Sequence, residues 1–202
     1  MSSLTIKNLN KIYNPGKNEV HAVKDFNLEI EDGEFVALLG PSGCGKTSTL
    51  RMIVGLESIT SGSILFDDVE INHLSPEQRN VAMAFESYAL YPNFTIFENL
   101  AFPLEVKKNS SSEISKKVGD IAEMLQITNI LELKPNHLSG GQQQRVSLGR
   151  ALIRDPAVFI LDEVMSHLDA HLKFQMLFEL KKIHQTLKKT MIYVTHDQME
   201  AL

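Results

Sequence analysis

The octapeptide GPSGCGKT, residues 40–47, limits what this chain can fold into more than any other stretch. It fits the pattern G-x-x-x-x-G-K-[ST]. It lies between the apolar run FVALL at 35–39 and a helical pattern that begins at Lys46. A strand, a glycine-rich turn and a helix in this order direct backbone N–H groups and a helix N-terminus toward phosphate oxygens. The bare pattern would arise by chance in roughly one chain in a hundred of this size. We therefore predict a phosphate-binding loop, with a flexible glycine loop as the alternative.

Each residue type in this loop has a chemical reason to be there. The glycines allow the backbone to turn its N–H groups inward, and Lys46 supplies a cation for the β- and γ-phosphates of a nucleotide. The hydroxyl of Thr47 is a suitable Mg²⁺ ligand. Cys44 is interpreted as a small filler rather than a reactive thiol. The predicted nucleotide-binding residues are Gly40, Pro41, Ser42, Gly43, Cys44, Gly45, Lys46, Thr47 and Ser48.

The order of apolar patterns along the chain predicts an α/β fold. Strands are predicted at 4–6, 20–30, 35–39, 64–66, 81–85, 157–161 and 191–194, and helices at 46–54, within 95–155 and at about 172–187. Strands that alternate with helices favour a sheet covered by helices. The first strands form an N-terminal β-rich part. The helical block at 87–155 is predicted to be an inserted subdomain, and residues 1–86 and 156–202 to form the core.

Composition narrows the class of protein further. The chain has 202 residues and 43% hydrophobic content, enough for one domain with a subdomain. Its net charge of −5 provides no basic field for nucleic acid. A single cysteine excludes an internal disulfide and suits a reducing cytoplasm. The N-terminal residues do not resemble a secretory signal, and no apolar run approaches about 20 residues. Any membrane role is therefore expected to come through a partner.

Two acidic residues end the apolar segment AVFILDE at 157–163. A carboxylate at the tip of a buried strand is costly unless it meets a cation. A phosphate-bound Mg²⁺ beside Asp162 would remove that cost. Glu163 would then stand near the γ-phosphate and accept a proton from an attacking water. The alternative is an ordinary acidic turn after a strand, which is common when no phosphate loop is present.

The segment LSGGQ at 138–142 distinguishes among nucleotide-binding families. A serine and two glycines at a helix start predict a second anion-binding N-terminus. This pentapeptide would occur by chance in well under about one chain in a thousand. The motifs N-K-x-D and D-x-x-G, which are typical of GTPases, are absent from the sequence. Ser139, Gly140, Gly141 and Gln142 are therefore candidate nucleotide contacts.

With these motifs the chain resembles the ATP-binding cassette ATPases of ABC transporters, almost from end to end. The resemblance implies a P-loop NTPase cassette that uses ATP and Mg²⁺. It implies that Tyr13 stacks on adenine and that His196 contacts the γ-phosphate as a switch histidine. It also implies that Asp169 belongs to the loop at 166–169, which follows the catalytic glutamate. It further implies a head-to-tail dimer, in which each ATP lies between the 40–47 loop of one subunit and Ser139-Gly140-Gly141 of the other.

The resemblance also implies where such a subunit works and what it contacts. The expected partners are a second ATPase subunit, identical or different, and integral membrane permease subunits gripped by the helical subdomain. The expected location is cytoplasmic, peripheral on the inner face of the cell membrane, with no contact with the transported solute and none with nucleic acid. The segments SPEQRNVAMAF, SYALYPNFTIFENLAF and YVTHDQMEAL most resemble importers of maltose, multiple sugars and glycerol phosphate. Polyamine and iron importers have similar sequences in these segments and remain an alternative.

Three features depart from the family pattern. Glu86 stands where the family has a glutamine that helps to bind Mg²⁺ and to orient water, and Val164-Met165 and His167 replace residues that usually follow the catalytic glutamate. Glu86 is a possible metal ligand and catalytic residue, but it adds a charge. We expect either slow turnover with intact ATP binding, or little effect because Mg²⁺ neutralises the acid. The family also continues beyond residue 202, so we expect a truncated chain or a fragment.

The departures leave two principal functions open. One is an ATPase that drives solute import, and the other is a nucleotide-binding subunit that closes on ATP but barely hydrolyses it. A soluble ABC protein of repair or translation is disfavoured, because such chains usually carry tandem cassettes or long coiled-coil insertions.

Overall fold

The structure is a computed structural model, and it describes residues 3–16, 18–85, 87–166, 168 and 170–201. The predictions for Glu86, His167 and Asp169 lie outside the described residues. The chain divides into two compact units, and each is described by itself. The first comprises Met1–Met83, Ala157–Asp162 and Leu187–Leu202, and the second comprises Ala84–Pro156 and Glu163–Thr186.

An antiparallel sheet opens the first unit. Its strand order is β2-β1-β4-β5, with β1 at Leu4–Tyr13, β2 at Val20–Ile30, β4 at Ser61–Phe66 and β5 at Val69–Glu70. Asp67 and Asp68 join β4 to β5, and both have positive φ, 47° and 66°. Two-residue hairpin turns require this backbone conformation, and Asp tolerates it better than most residues. The acidic pair therefore makes a tight hairpin.

A second sheet in the same unit has the order β3-β8-β7-β6. Its strands are β3 at Phe35–Leu39, β6 at Val81–Ala84, β7 at Val158–Asp162 and β8 at Thr190–Thr195. Strand β8 pairs in parallel with both β3 and β7. Every residue of β7 and β8 is buried, as expected for parallel strands covered on both faces.

Helix α1, Lys46–Val54, supplies much of the core of the first unit. Leu50, Met52 and Ile53 are fully buried in a cluster with Ile160 of β7 and Ile192 of β8. Burial of side chains of this size stabilises the fold by about 1.5–3 kcal/mol each. A short helix, α6 at Gln198–Ala201, follows β8. The phosphate-loop helix is thus anchored by apolar packing along its length.

Four helices form the second unit: α2 at Ile96–Val106, α3 at Ser111–Met124, α4 at Gly140–Leu152 and α5 at Ala170–Leu187. The N-termini of α2, α3 and α4 are each closed by a capping box, in which Thr95, Ser110 or Ser139 exchanges hydrogen bonds with the third helical residue. Gly149 lies where a Cβ atom would come within 2.9 Å of Leu100 and 3.0 Å of Leu125, so these helices pack closely.

Among the described residues, no helix combines the length and the apolar composition that a membrane span requires.

The alternation of strands and helices confirms the predicted α/β class. The strand predicted at 4–6 extends to Tyr13, and β5 and α6 were not predicted. The second unit takes in residues 163–186, which the sequence division assigned to the core. Within this unit, Arg145 of α4 forms an ion pair with Glu179 of α5 at 2.8 Å. The predicted boundaries at 86/87 and 155/156 stay a prediction.

Candidate functional site

The carboxyl ends of three parallel strands meet at one edge of the second sheet. Leu39, which precedes the phosphate loop, is in register with Thr195, and Asp162 is in register with Val194. The 40–47 loop, Asp162 and the residue after β8, His196, therefore lie at the same edge. This edge is where open α/β sheets bind ligands. The sheet register brings together residues more than 150 positions apart in sequence.

The phosphate loop has the backbone geometry of an anion cradle. Gly43 and Gly45 have positive φ values of 82° and 95°. A Cβ atom on Gly45 would lie only 2.2 Å from the carbonyl oxygen of Ala22, so only glycine fits there. Residues 41–44 are exposed. The loop is thus held at Gly45 while its turn faces solvent.

Lys46 folds back over this loop. Its ammonium donates hydrogen bonds to the carbonyl oxygens of Gly40, at 2.6 Å, and Pro41, at 3.0 Å. These hydrogen bonds hold the Lys46 side chain against the backbone of the phosphate loop. The Nζ atom lies 3.9 Å from the Cys44 sulfur, and Cys44 is exposed.

The N-terminus of α1 differs from those of the three helices of the second unit just described. Gly45 makes no side-chain capping bond, and the first turn contains no acidic residue. The first turn of α1 therefore contributes no carboxylate of its own to offset the orphan N–H groups and the positive end of the helix dipole. Thr47 is exposed and Ser48 is half-buried in this turn. These features fit a polyphosphate.

Asp162 and Thr47 offer the kind of ligand that Mg²⁺ prefers. Asp162 is 8% exposed at the end of β7, and Thr47, which carries a hydroxyl, is the second residue of α1. Among the described residues, no group of three or more His, Cys, Asp or Glu side chains could hold a metal ion by itself. This donor set fits Mg²⁺, which is usually bound through one or two protein oxygens, substrate phosphates and water.

Tyr13 lies beside the start of α1. Its hydroxyl oxygen is 3.1 Å from the Ser48 hydroxyl, and it donates a hydrogen bond to a carboxylate oxygen of Glu57. Burial and the contact with Glu57 raise the pKa of Tyr13. The side chain predicted to stack on adenine is thus tied to the helix that follows the phosphate loop. Nothing in the sequence pattern marked Glu57 as its partner.

His196 is exposed, and the chain around it is fixed by buried hydrogen bonds. The Thr195 hydroxyl donates to the Glu200 carboxylate at 2.6 Å and accepts from the Asp197 N–H at 3.0 Å. The Tyr193 hydroxyl donates to the same carboxylate oxygen. Burial, reinforced by Glu200, raises the pKa of Tyr193 far above its ordinary value. Glu200 was not predicted, although the sequence YVTHDQMEAL contains it four residues after His196.

The second unit carries the remaining described candidates. Ser139 and Gly140 are exposed at the N-terminus of α4, and Gly141 and Gln142 are half-buried. The Ser139 hydroxyl accepts from the Gln142 N–H at 3.4 Å, and the Ser139 N–H donates to the Gln142 side chain at 2.9 Å.

Glu163 has a positive φ of 47°, and its carbonyl accepts a hydrogen bond from the Ser166 N–H at 3.1 Å. A left-handed backbone at a non-glycine residue costs about 1–2 kcal/mol, and such strain is concentrated at functional sites.

Comparison with known proteins places this geometry in a family. A family model described as "ABC transporter" matches residues 23–166, which include the phosphate loop, the LSGGQ segment and the acidic end of β7. The chain belongs to the ABC transporter family. Its cassette fold is confirmed by a bacterial ABC transporter cassette, MJ0796, whose dimeric structure has a TM-score of 0.85 and 34% identity. The match covers 98% of this chain and 90% of that one. A second structure of MJ0796, in a post-hydrolysis state bound to ADP and Pi, matches equally well.

Similar sequences belong to transporter ATP-binding proteins. The sn-glycerol-3-phosphate import ATP-binding protein of Psychromonas ingrahamii is 50% identical over all 202 residues, which make up 53% of its length. An uncharacterised ABC transporter ATP-binding protein of Bacillus subtilis, YurJ, is 49% identical over the same 202 residues, or 54% of its length. The chain spans about half the length of the curated relatives it matches.

Proposed function

We propose that this cassette is the ATP-binding and ATP-hydrolysing subunit of an ABC importer, with a carbohydrate or a related solute as the transported substrate. The observation that carries the proposal is the meeting of the 40–47 loop, Asp162 and His196 at one edge of the parallel sheet. A cassette that also presents LSGGQ at an exposed helix N-terminus has both halves of a nucleotide-clamping surface.

The first part of the proposed mechanism is nucleotide binding. Tyr13 stacks on adenine, the loop from Gly40 to Ser48 wraps the phosphates, and Lys46 offsets charge on the β- and γ-phosphates. Thr47 and Asp162 would hold Mg²⁺, with Glu86 as a further oxygen ligand proposed from its sequence position. When bound, Mg²⁺ neutralises negative charge that develops on the phosphate oxygens during transfer.

The second part is hydrolysis. Glu163 accepts a proton from the attacking water, and His196 donates a hydrogen bond to the γ-phosphate. The loop that contains Asp169, together with Ser139 to Gln142, acts on the nucleotide from a second copy of the cassette. MJ0796, which shares the fold, forms a dimer in its structure, and this supports a dimeric arrangement here. ATP then favours the closed dimer, and hydrolysis releases it.

The proposed partners are a second ATPase subunit and integral membrane permeases. The cassette would lie on the cytoplasmic face of the cell membrane and transmit its closure to the permease, without touching the solute or nucleic acid. The P. ingrahamii relative is named for the import of sn-glycerol 3-phosphate, which favours a sugar or a sugar-alcohol phosphate as the transported solute. A polyamine or iron substrate is the alternative.

Phosphate release by the purified chain, with and without Glu163→Gln, tests the proposal. If Glu163 is the base, the substitution lowers the rate by about a hundredfold or more and leaves ATP affinity within about twofold. Glu70→Gln, which makes the same charge change at an exposed position of β5, is the matched control. Turnover that is unchanged by Glu163→Gln, or a parent chain that does not bind ATP in millimolar Mg²⁺, contradicts the proposal.

A nucleotide-binding subunit with weak hydrolysis is the second candidate. The observation that favours it is Glu86, which stands where the family has glutamine. Two carboxylates about 5 Å apart repel each other by on the order of a few kcal/mol at an effective dielectric near 20. Such a charge would repel the carboxylate of Glu163 or the γ-phosphate.

A further inference from the structure

We propose that Glu57 is a positioning residue for the nucleoside. Together with Lys11, its carboxylate holds the Tyr13 ring in the place where the base stacks. Glu57 therefore sets the affinity for the base while the phosphate loop sets the affinity for the triphosphate. The inference rests on the proposed nucleotide-binding function and deepens it.

Glu57 contacts three side chains, two of which donate hydrogen bonds and one of which forms an ion pair. One carboxylate oxygen accepts the Tyr13 hydroxyl and lies 3.6 Å from the Lys11 ammonium. The other lies 3.3 Å from the Arg51 guanidinium. The Glu57 side chain is only 18% exposed, so water competes weakly for these contacts. A carboxylate held from three sides is a rigid acceptor for the tyrosine.

Lys11 fixes the ring from a second direction. Lys11 is 8% exposed, and its ammonium donates a hydrogen bond to the Ser58 carbonyl at 2.6 Å. The same nitrogen lies 4.9 Å from the centroid of the Tyr13 ring, within the range of a cation–π interaction. One face of the ring is therefore covered by a cation. A base that stacks on Tyr13 would use the opposite face.

The cluster connects Tyr13 to the helix that carries the phosphate loop. Ser48 and Arg51 both belong to α1, and Glu57 follows the end of that helix. The end of β1, the first and last turns of α1 and the chain after α1 are thus joined through the polar contacts of two side chains, Tyr13 and Glu57. The distance between the ring and the phosphate loop is consequently fixed before a nucleotide arrives, which lowers the entropic cost of binding.

The charge states support this arrangement. Burial raises the pKa of Glu57, but the hydrogen bonds from Tyr13 and Arg51 and the charge of Lys11 outweigh it, so that the pKa lies below its usual value. The pKa of Tyr13 lies above its usual value. At neutral pH the tyrosine is therefore the donor and Glu57 is an ionised acceptor. Charge-assisted hydrogen bonds of this kind are about twice as strong as neutral ones.

Calorimetric titration with ATP and with inorganic triphosphate, both in millimolar Mg²⁺, tests the proposal on the full chain. Triphosphate engages the phosphate loop but has no base. Stacking of a base on an aromatic side chain corresponds to about a 5- to 150-fold change in affinity. We expect Tyr13→Ala and Glu57→Ala each to weaken ATP binding by about tenfold or more and to change triphosphate binding by less than about twofold. Glu57→Gln keeps an acceptor oxygen but loses the negative charge, so it should lose part of the ATP affinity, less than Glu57→Ala loses.

A double variant and a matched control complete the experiment. If Glu57 acts through Tyr13, adding Glu57→Ala to Tyr13→Ala causes no further loss. Glu29→Ala removes an exposed carboxylate from β2 in the same unit and should change neither affinity. If Glu57→Ala does not fold, the partial loss in Glu57→Gln and its dependence on Tyr13 decide the question.

Several outcomes would overturn the inference. Equal loss of ATP and triphosphate affinity in Glu57→Ala indicates a structural role, and ATP binding that matches the Glu29→Ala control indicates none. Loss of ATP affinity in Tyr13→Ala but not in Glu57→Ala overturns the inference and leaves nucleotide binding intact. A parent chain that binds neither ligand overturns the proposed function as well.

Discussion

Gly45 lies against Ala22 and Val23 on the side where any other residue would carry its Cβ atom. The carbonyl oxygen of Ala22 would be 2.2 Å from that atom and the Val23 side chain 3.1 Å. Gly43, two positions earlier, has a similar positive φ but no atom within 4 Å of the same position. A Cβ atom at Gly43 would therefore meet backbone strain alone, whereas a Cβ atom at Gly45 would meet both the strain and a steric contact.

We expect Gly45→Ala to lower the free energy of unfolding by about 2–4 kcal/mol, from left-handed strain and displacement of β2 together. Gly43→Ala should cost about 1–2 kcal/mol, because only the strain applies. Urea denaturation measures both costs, and titration with ATP should show loss of binding in Gly45→Ala. Equal costs for the two variants would mean that the contact with Ala22 is relieved without consequence.

Glu86 lies outside the described residues, so the prediction for it rests on its charge alone. If its carboxylate opposes Glu163 or the γ-phosphate, Glu86→Gln removes a few kcal/mol from the barrier. ATP turnover should then rise by up to about a hundredfold while ATP affinity changes little. Steady-state phosphate release by the parent and the variant measures this. A flat or lower rate in Glu86→Gln would show that the charge does not limit turnover.

At the scale of the element, sequence predicts most reliably where local signals are strong. Helix α1 occupies the predicted residues 46–54, because an apolar periodicity is bounded by Gly45 and Gly55, both with positive φ. Strand β1 was predicted only to residue 6. Its later half, KNLNKIY, is polar and is kept extended by pairing with β2 and β4, with irregularities in register. Pairing with distant strands leaves no local pattern to detect.

The residues of the candidate site also differ in whether the local sequence predicts their position. The positions of the loop and Asp162 could be predicted because each follows an apolar strand, and parallel strands place their carboxyl ends together. His196 was expected from the resemblance to the ABC ATPases. Glu57 and Glu200 could not be predicted in their observed roles. Glu57 contacts Tyr13 from 44 positions away, and a single carboxylate in a polar segment carries no periodic signal.

Arg79 stabilises the C-terminal end of α1. The guanidinium is 5% exposed and donates to the carbonyl oxygens of Met52 at 2.6 Å and Ile53 at 3.0 Å. It also donates to the Leu74 carbonyl at 2.9 Å and to the Asn72 carbonyl at 3.0 Å. Carbonyl groups in the last turn of a helix have no partner within the helix, and a cation there also offsets the dipole. Burial lowers the pKa of Arg79.

We expect Arg79→Met to lower the free energy of unfolding by about 3 kcal/mol or more, because buried carbonyl groups lose their donors. Arg79→Lys keeps the charge but not the planar arrangement of donors, so its cost should be intermediate. Arg154→Lys, at an exposed position, provides the matched control. Urea denaturation measures the three variants. If Arg79→Lys is as stable as the parent, the charge alone accounts for the role of Arg79.

At the scale of the whole molecule, the predicted nucleotide contacts are divided between two compact units. The first holds the phosphate loop, Tyr13, Asp162 and His196, and the second holds Ser139. Ser139 makes the same kind of capping box as Ser110, and each serine is exposed at the start of a helix in the second unit. Capping alone therefore does not distinguish the two serines. The proposed function does, because it assigns only Ser139 to a nucleotide bound by another copy.

This difference gives a direct test of the proposed dimer. In the Glu163→Gln background, where slow hydrolysis should preserve the bound nucleotide, ATP is expected to shift the measured mass from 22.7 kDa toward twice that value. Adding Ser139→Arg should abolish the shift, because a bulky cation replaces the residue that we propose to face the partner's nucleotide. Light scattering after size exclusion measures the mass, and titration at low protein concentration checks that ATP affinity is kept. Ser110→Arg loses a capping hydroxyl of the same kind, worth about 1 kcal/mol, and should still form the dimer. If both serine variants dimerise alike, or neither does, the helix start at Ser139 has no special part in assembly.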